Sequence, residues 1–122
     1  MKKTLLTLSA LALMALAGCS SPSYERTEIS SVVSPVGGEL STSRVRVPVG
    51  GVIKANIAPW DSDGKLMEAE LVSTNPEILA VKRVAGSRDV IVLGVRTGVT
   101  TVMFMANGTS VQSVQAEVVA VQ

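Results

Sequence analysis

The 122-residue chain contains no histidine, one cysteine and only three aromatic residues. Without histidine it lacks the commonest general base, the usual activator of a nucleophilic serine and the commonest transition-metal ligand. A single cysteine excludes an internal disulfide. These scarcities argue against an enzyme and against a zinc or iron site, so we predict no catalytic residue, no cofactor and no metal.

Charge and aromatic content argue against nucleic acid as a partner. The chain carries 11 basic and 10 acidic side chains, a net charge of +1, whereas nucleic-acid-binding domains have a clear basic excess. Three aromatic side chains also provide few surfaces on which nucleic-acid bases could stack. The sequence therefore predicts no nucleic-acid binding.

The first 18 residues have the layout of a secretory signal. Lys2 and Lys3 precede residues 5–16, which form a run of 12 residues without a charge. A basic start followed by a short apolar region is typical of such signals, and the run is too short to span a bilayer comfortably. Residues 16–19, Leu-Ala-Gly-Cys, close the run and resemble the lipobox of a bacterial lipoprotein.

This resemblance implies cleavage before Cys19, a diacylglycerol on its thiol and a third acyl chain, such as palmitate, on the new amino group. Each buried methylene contributes about 0.8 kcal/mol, and two or more chains anchor a protein stably in a membrane. The alternative is a free thiol, which is uncommon in an oxidising compartment. Ser20 is not Asp, and the sorting rule of enteric-type bacteria then favours the outer membrane. The prediction is a cell-envelope protein attached to the membrane by lipid on Cys19.

A chain cut before Cys19 would keep 104 of the 122 residues, including nine basic and ten acidic side chains, because Lys2 and Lys3 are removed. This length suits one small domain. Residues 19–43 are rich in serine and contain Pro22, Pro35 and the Gly37-Gly38 pair. This composition predicts a flexible tether, which would span roughly 25–30 Å as a coil. Residues 29–36 are apolar enough to form a first edge strand instead.

Residues 44–122 have the pattern of an all-β sandwich, since short β-branched runs alternate with turn signals. Ile53, Ala55 and Ile57 alternate with polar residues, which is typical of a half-buried strand. Asn107-Gly108 predicts a type I′ hairpin turn. The predicted strands are residues 44–47, 52–58, 66–72, 78–84, 89–95, 100–106 and 111–121. About seven strands at this spacing predict an immunoglobulin-like β-sandwich.

Several motifs within residues 44–122 occur in a specific order: Gly50-Gly51 before a strand, residues 73–81 with Ser-Thr-Asn-Pro and Ala-Val, residues 94–102 with Gly-Val and Gly-Val-Thr-Thr-Val, and a valine-rich last strand. Together they resemble the bacterial immunoglobulin-like domain of group 2. That family usually has a tryptophan two residues before the serine of the Ser-x-Asn-Pro segment, and Leu71 stands there in this chain. The resemblance implies a non-catalytic module that binds an envelope or surface protein or a glycan.

A second resemblance covers about residues 75–121. Pro76 and the strand after it, followed by Gly98 and Thr100-Thr101, are similar to the amino-terminal domain of secretin channels of pili and secretion systems. The threonines are one residue out of register with that pattern. This resemblance implies an alternative function, an accessory lipoprotein of a pilus or secretion channel.

The segment from Pro59 to Gly64 is predicted to be a loop between two strands, and it holds two candidate features. Trp60 would be either a lid over the end of the core or an exposed contact for a partner. Asp61, Asp63 and Glu68 offer some of the oxygens of a calcium loop, but their spacing is not that of an EF-hand. The Asp-Gly composition favours an exposed turn.

Overall fold

The computed structural model describes residues 22–121, so Cys19 and the predicted cleavage site lie outside the described range. This range contains nine strands: β1 Tyr24–Val33, β2 Glu39–Leu40, β3 Val45–Pro48, β4 Val52–Asp61, β5 Ala69–Ser73, β6 Leu79–Arg83, β7 Asp89–Gly94, β8 Gly98–Ala106 and β9 Thr109–Val119. Between Pro22 and Val121, the structure has no helix with the length and hydrophobicity that a bilayer crossing needs.

The strands form two packed sheets. One sheet has the order β1-β4-β7-β6, and the other has the order β2-β3-β9-β8-β5. Neighbours are antiparallel except β3 and β9, which run parallel. The prediction of an all-β sandwich is confirmed, and the seven strands predicted from residue 44 onward correspond to β3 to β9 with ends shifted by up to three residues.

The core lies between the sheets and is mostly aliphatic. Ile53, Ala55 and Ile57 of β4 are buried, as their alternation predicts. From the other sheet, Phe104 is the largest of the fully buried side chains, and its register partner on β5 is Leu71, which is also buried. The position where the resembled family has tryptophan is therefore occupied by a leucine beside a phenylalanine, and the phenylalanine supplies the aromatic volume.

The flexible tether predicted for residues 19–43 does not extend to Ser43, which corrects that boundary. β1 pairs with β4 from Tyr24 opposite Asp61 to Val33 opposite Lys54, and Leu40 of β2 is buried. The alternative strand over residues 29–36 is closer to the structure, although β1 starts five residues earlier. β1 is an edge strand with two register shifts and is mostly exposed to solvent. Its sequence therefore shows no regular apolar alternation.

Candidate functional site

Trp60 lies on β4, and not in a loop as the sequence predicted. Its neighbours Pro59 and Asp61 are buried, whereas Trp60 is only partly buried. Since successive strand residues point to opposite faces, Trp60 belongs to the outer face of its sheet and is not a lid over the core. Its indole N–H is buried and has no acceptor among the described residues.

β4 continues through Pro59 because the backbone carbonyl and nitrogen of this residue point away from β1. The carbonyl oxygen of Pro59 accepts a hydrogen bond from the N–H of Met67 at 2.8 Å, on the side away from β1. The N–H that proline lacks would point to the same side, so no bond of the β1–β4 ladder is lost. A proline is tolerated here, and β4 runs on to Asp61.

Two side chains flank Trp60. The guanidinium carbon of Arg26, its register partner on β1, lies 5.6 Å from the centroid of the indole ring, within the range of a cation–π contact. On the other side, Trp60 forms an isolated bridge with Leu66, whose side chain is 40% exposed. Arg26, Trp60 and Leu66 therefore form a partly exposed row across the end of the sheet.

The side-chain carboxylate of Asp61 closes the turn from Asp61 to Lys65. Asp61 is 7% exposed, and its Oδ1 accepts hydrogen bonds from the N–H groups of Asp63 and Lys65, both at 2.9 Å. The N–H of Asp61 donates to the carbonyl of Lys65 at 2.9 Å. The carboxylate thus stabilises a tight turn, which matches the turn prediction. Nowhere in residues 22–121 do three potential acidic, histidine or cysteine ligands group closely enough to hold a metal ion.

The start of the described chain is fixed to this turn. The N–H of Ser62 donates to the carbonyl of Ser23 at 2.8 Å, and the N–H of Ser23 donates to Oγ of Ser62 at 3.3 Å. Arg88 Nη1 donates to the carbonyl of Met67 at 3.1 Å, which brings the β6–β7 turn to the same place. We call this end of the sandwich, with residues 22–26, 60–68, 84–88 and 107–108, the near end.

The opposite end, called the far end, holds residues 34–37, 48–52, 74–78, 93–99 and 119–121. Backbone hydrogen bonds connect its segments: the N–H of Gly50 donates to the carbonyl of Gly94 at 2.7 Å, and the N–H of Val95 donates to the carbonyl of Ile78 at 2.8 Å. The described chain therefore enters the sandwich at the near end, and β9 finishes at the far end.

Exposed apolar side chains are unevenly distributed between the ends. Among the described residues, the exposed large apolar side chains lie at or toward the far end, with Leu66 as the exception. Val52 and Leu93 are register partners on the outer face, 39% and 37% exposed. The other members of this group are Val32, Val33, Val36, Val95, Val99 and Val121.

The surface also has open depressions of about 320 Å³. One lies at the β5–β6 side and is lined by residues that include Glu68 and Arg83, which form an exposed ion pair at 3.4 Å. Such exposed pairs contribute little to stability. Another is lined by Gly38, Glu39, Arg46, Pro48 and Val119. Both are surface features between strands rather than enclosed sites.

No protein-family model and no curated protein matches the sequence. Among solved structures, domains 1–6 of the surface layer protein SbsC align with 84% of this chain at 24% identity and a TM-score of 0.59, and this chain covers 14% of theirs. Domains 4 and 5 of SbsC align with 84% at 21% identity and a TM-score of 0.52, with 54% of that chain covered. FdeC, an Escherichia coli adhesin, aligns with 84% at 19% identity and a TM-score of 0.47, with 33% covered. The fold is an immunoglobulin-like β-sandwich.

Proposed function

We propose that this protein is a lipid-anchored component of the cell envelope, and that its sandwich binds an envelope or surface protein or a glycan without catalysing a reaction. The observation that carries this function is the apolar far end, where Val52 and Leu93 lie side by side and exposed. Single exposed apolar side chains are normal, but a group of them marks a contact surface.

Two further observations support this function. The fold is shared with domains of a surface layer protein along 84% of the chain, and such sandwiches present sheet faces, edges and loops for binding. The lipobox-like residues 16–19 lie just before the sandwich, which suits a domain held at a membrane surface.

Lipid attachment is tested by growing cells with a clickable fatty acid. The wild-type chain is expected to take up the label and to sediment with membranes, because the thiol of Cys19 and the new amino group carry acyl chains. The Cys19→Ser variant is the control and should remain unlabelled. An unlabelled, soluble wild-type chain would refute the anchor.

Partner binding is tested by crosslinking in whole envelopes followed by mass spectrometry. A variant with Val52→Ser and Leu93→Ser should lose its crosslinked partners, whereas Leu66→Ser, at the near end, should keep them. Trp60→Ala probes the partner contact that was predicted from the sequence. If the far-end variant keeps every partner, the far end is not the binding surface.

The same experiment separates the general module from the accessory of a secretin channel. Recovered partners that are channel or pilus subunits would favour the accessory function implied by residues 75–121. The structural likeness to SbsC covers both halves of the chain, since it spans 84% of it. This breadth favours the general binding module.

A further inference from the structure

We propose that the near end of the sandwich rests on the phospholipid headgroups, with Trp60, Leu66 and Lys65 at the bilayer surface, an orientation that rests on the proposed lipid anchor at Cys19. The first reason is reach. β1 begins at Tyr24, five residues after Cys19, and an extended chain covers at most about 3.3–3.6 Å per residue. Whatever its conformation, this link therefore places Tyr24 within about 18 Å of Cys19.

The second reason is that Tyr24 is part of the folded domain. It is paired with Asp61 on β4, and the two hydrogen bonds between Ser23 and Ser62 fix the chain to the Asp61–Lys65 turn. The near end is thus the part of the sandwich closest to the anchor. β4 has ten residues, so the far end lies about 30 Å farther along the strands, at about 3.3 Å per residue.

The third reason is the composition of the near end. It carries Tyr24 and Trp60, two of the three aromatic residues of the chain, and the exposed Leu66. Tyrosine and tryptophan are favoured at membrane–water interfaces, where one part of the ring is in an apolar environment and the other part is hydrated. Lysine and arginine can place their charged groups among the headgroups while their methylene stems cover apolar surface.

Charge at the near end is balanced. Arg26 forms exposed ion pairs with Glu25 at 3.0 Å and with Glu28 at 3.5 Å, and Asp63 lies two residues before Lys65 in the same turn. Such a surface is neither strongly attracted to nor repelled by a phospholipid bilayer. The short link, and not an anionic lipid, therefore holds the near end against the headgroups, so zwitterionic phosphatidylcholine should suffice.

This orientation has a consequence for partner binding. With the near end on the bilayer, the far end and its apolar group around Val52 and Leu93 point away from the membrane. The tether of roughly 25–30 Å predicted for residues 19–43 would have left the domain free to tumble. A link that ends at Tyr24 instead keeps the near end at the membrane, so that the far end faces the surrounding aqueous compartment.

The chain allows a direct test, since it has one cysteine and one tryptophan. The chain from Cys19 onward, which contains every described element, is coupled through its thiol to a maleimide lipid in phosphatidylcholine vesicles. A nitroxide-labelled phosphatidylcholine headgroup then quenches nearby tryptophan. We expect loss of Trp60 emission, and a long Gly/Ser spacer inserted between Ser20 and Ser21 should reduce this loss.

The matched control moves the tryptophan to the far end. In a Trp60→Phe background, Val95→Trp or Val99→Trp replaces an exposed far-end side chain and should show no quenching. Unquenched Trp60, or equal quenching at both ends, would overturn the orientation. Because the coupling is chemical, this result does not depend on lipidation in cells, which the fatty-acid labelling tests separately.

Discussion

Asn107 and Glu68 are joined by two hydrogen bonds. The N–H of Asn107 donates to the carbonyl of Glu68 at 2.9 Å, and the N–H of Glu68 donates to Oδ1 of Asn107 at 2.8 Å. Asn107 and Gly108 have φ angles of 49° and 80°, as a type I′ turn requires. The residue that turns β8 into β9 therefore also fixes the chain that leads into β5.

Substitutions at Asn107 should separate these two roles. Asn107→Gly keeps the positive φ and removes the side-chain acceptor, so we expect the free energy of unfolding to fall by about 1 kcal/mol. Asn107→Ala adds left-handed strain, and the total loss should be about 2 kcal/mol. Urea denaturation of the two variants measures the difference, and equal losses would show that the turn carries no strain.

The hairpin turn could be predicted from sequence because its conformation depends on two adjacent residues. The burial of Ile53 and Ile57 could be predicted for a similar reason, since alternation along one strand decides which side chains face the core. The bond from Asn107 to Glu68 joins residues 39 positions apart. No local pattern in the sequence indicates such a contact.

Phe104 should be the most sensitive core position. It is the largest fully buried side chain, and it fills the space beside Leu71 where the resembled family has a tryptophan. Phe104→Ala would leave a cavity, and we expect a loss of about 3–5 kcal/mol in the free energy of unfolding. Thermal and urea denaturation measure this loss. Phe104→Leu is the control and should lose less, because leucine fills most of the same volume.

Gly94 belongs to one of the motifs that predicted the fold, and the structure gives a physical reason for it. A Cβ atom at Gly94 would lie 2.5 Å from the carbonyl oxygen of Pro48 and 3.1 Å from Cγ1 of Val118. Gly94→Ala must therefore displace backbone, and we expect a loss of about 2–3 kcal/mol.

The control for this position is Gly64→Ala. Gly64 has a φ of 76° and open space around it, so alanine there should cost only about 1–2 kcal/mol of left-handed strain. Chemical denaturation of both variants gives the comparison. If Gly94→Ala is as stable as the wild-type chain, the close approach of Pro48 does not constrain this position.

β1 and Trp60 show where sequence patterns fail. β1 is an edge strand with a solvated outer side, so its residues include charges and serines, and only Ile29 packs against the core cluster. Trp60 follows a proline, which normally ends a strand. The orientation of Pro59 toward Met67 removes this penalty, but it depends on the tertiary fold and is not visible in the sequence.

The boundary of the folding unit can be tested with two fragments. Residues 22–122 should unfold cooperatively as a β protein. Residues 44–122, the domain that the sequence predicts, lack β1, which occupies seven paired positions on β4, and also the buried Leu40. Without β1, the ten residues of β4 become an exposed edge, and long exposed edges favour aggregation.

We therefore expect residues 44–122 to have a lower unfolding midpoint than residues 22–122 and to form larger species in size-exclusion chromatography. Circular dichroism during heating measures the midpoints. Ile29→Ala in the longer fragment is the control, because it removes the packing of one side chain and keeps the β1–β4 ladder. Its midpoint should lie between those of the two fragments. Equal midpoints for the two fragments would mean that β1 is dispensable and that the folding unit begins at residue 44.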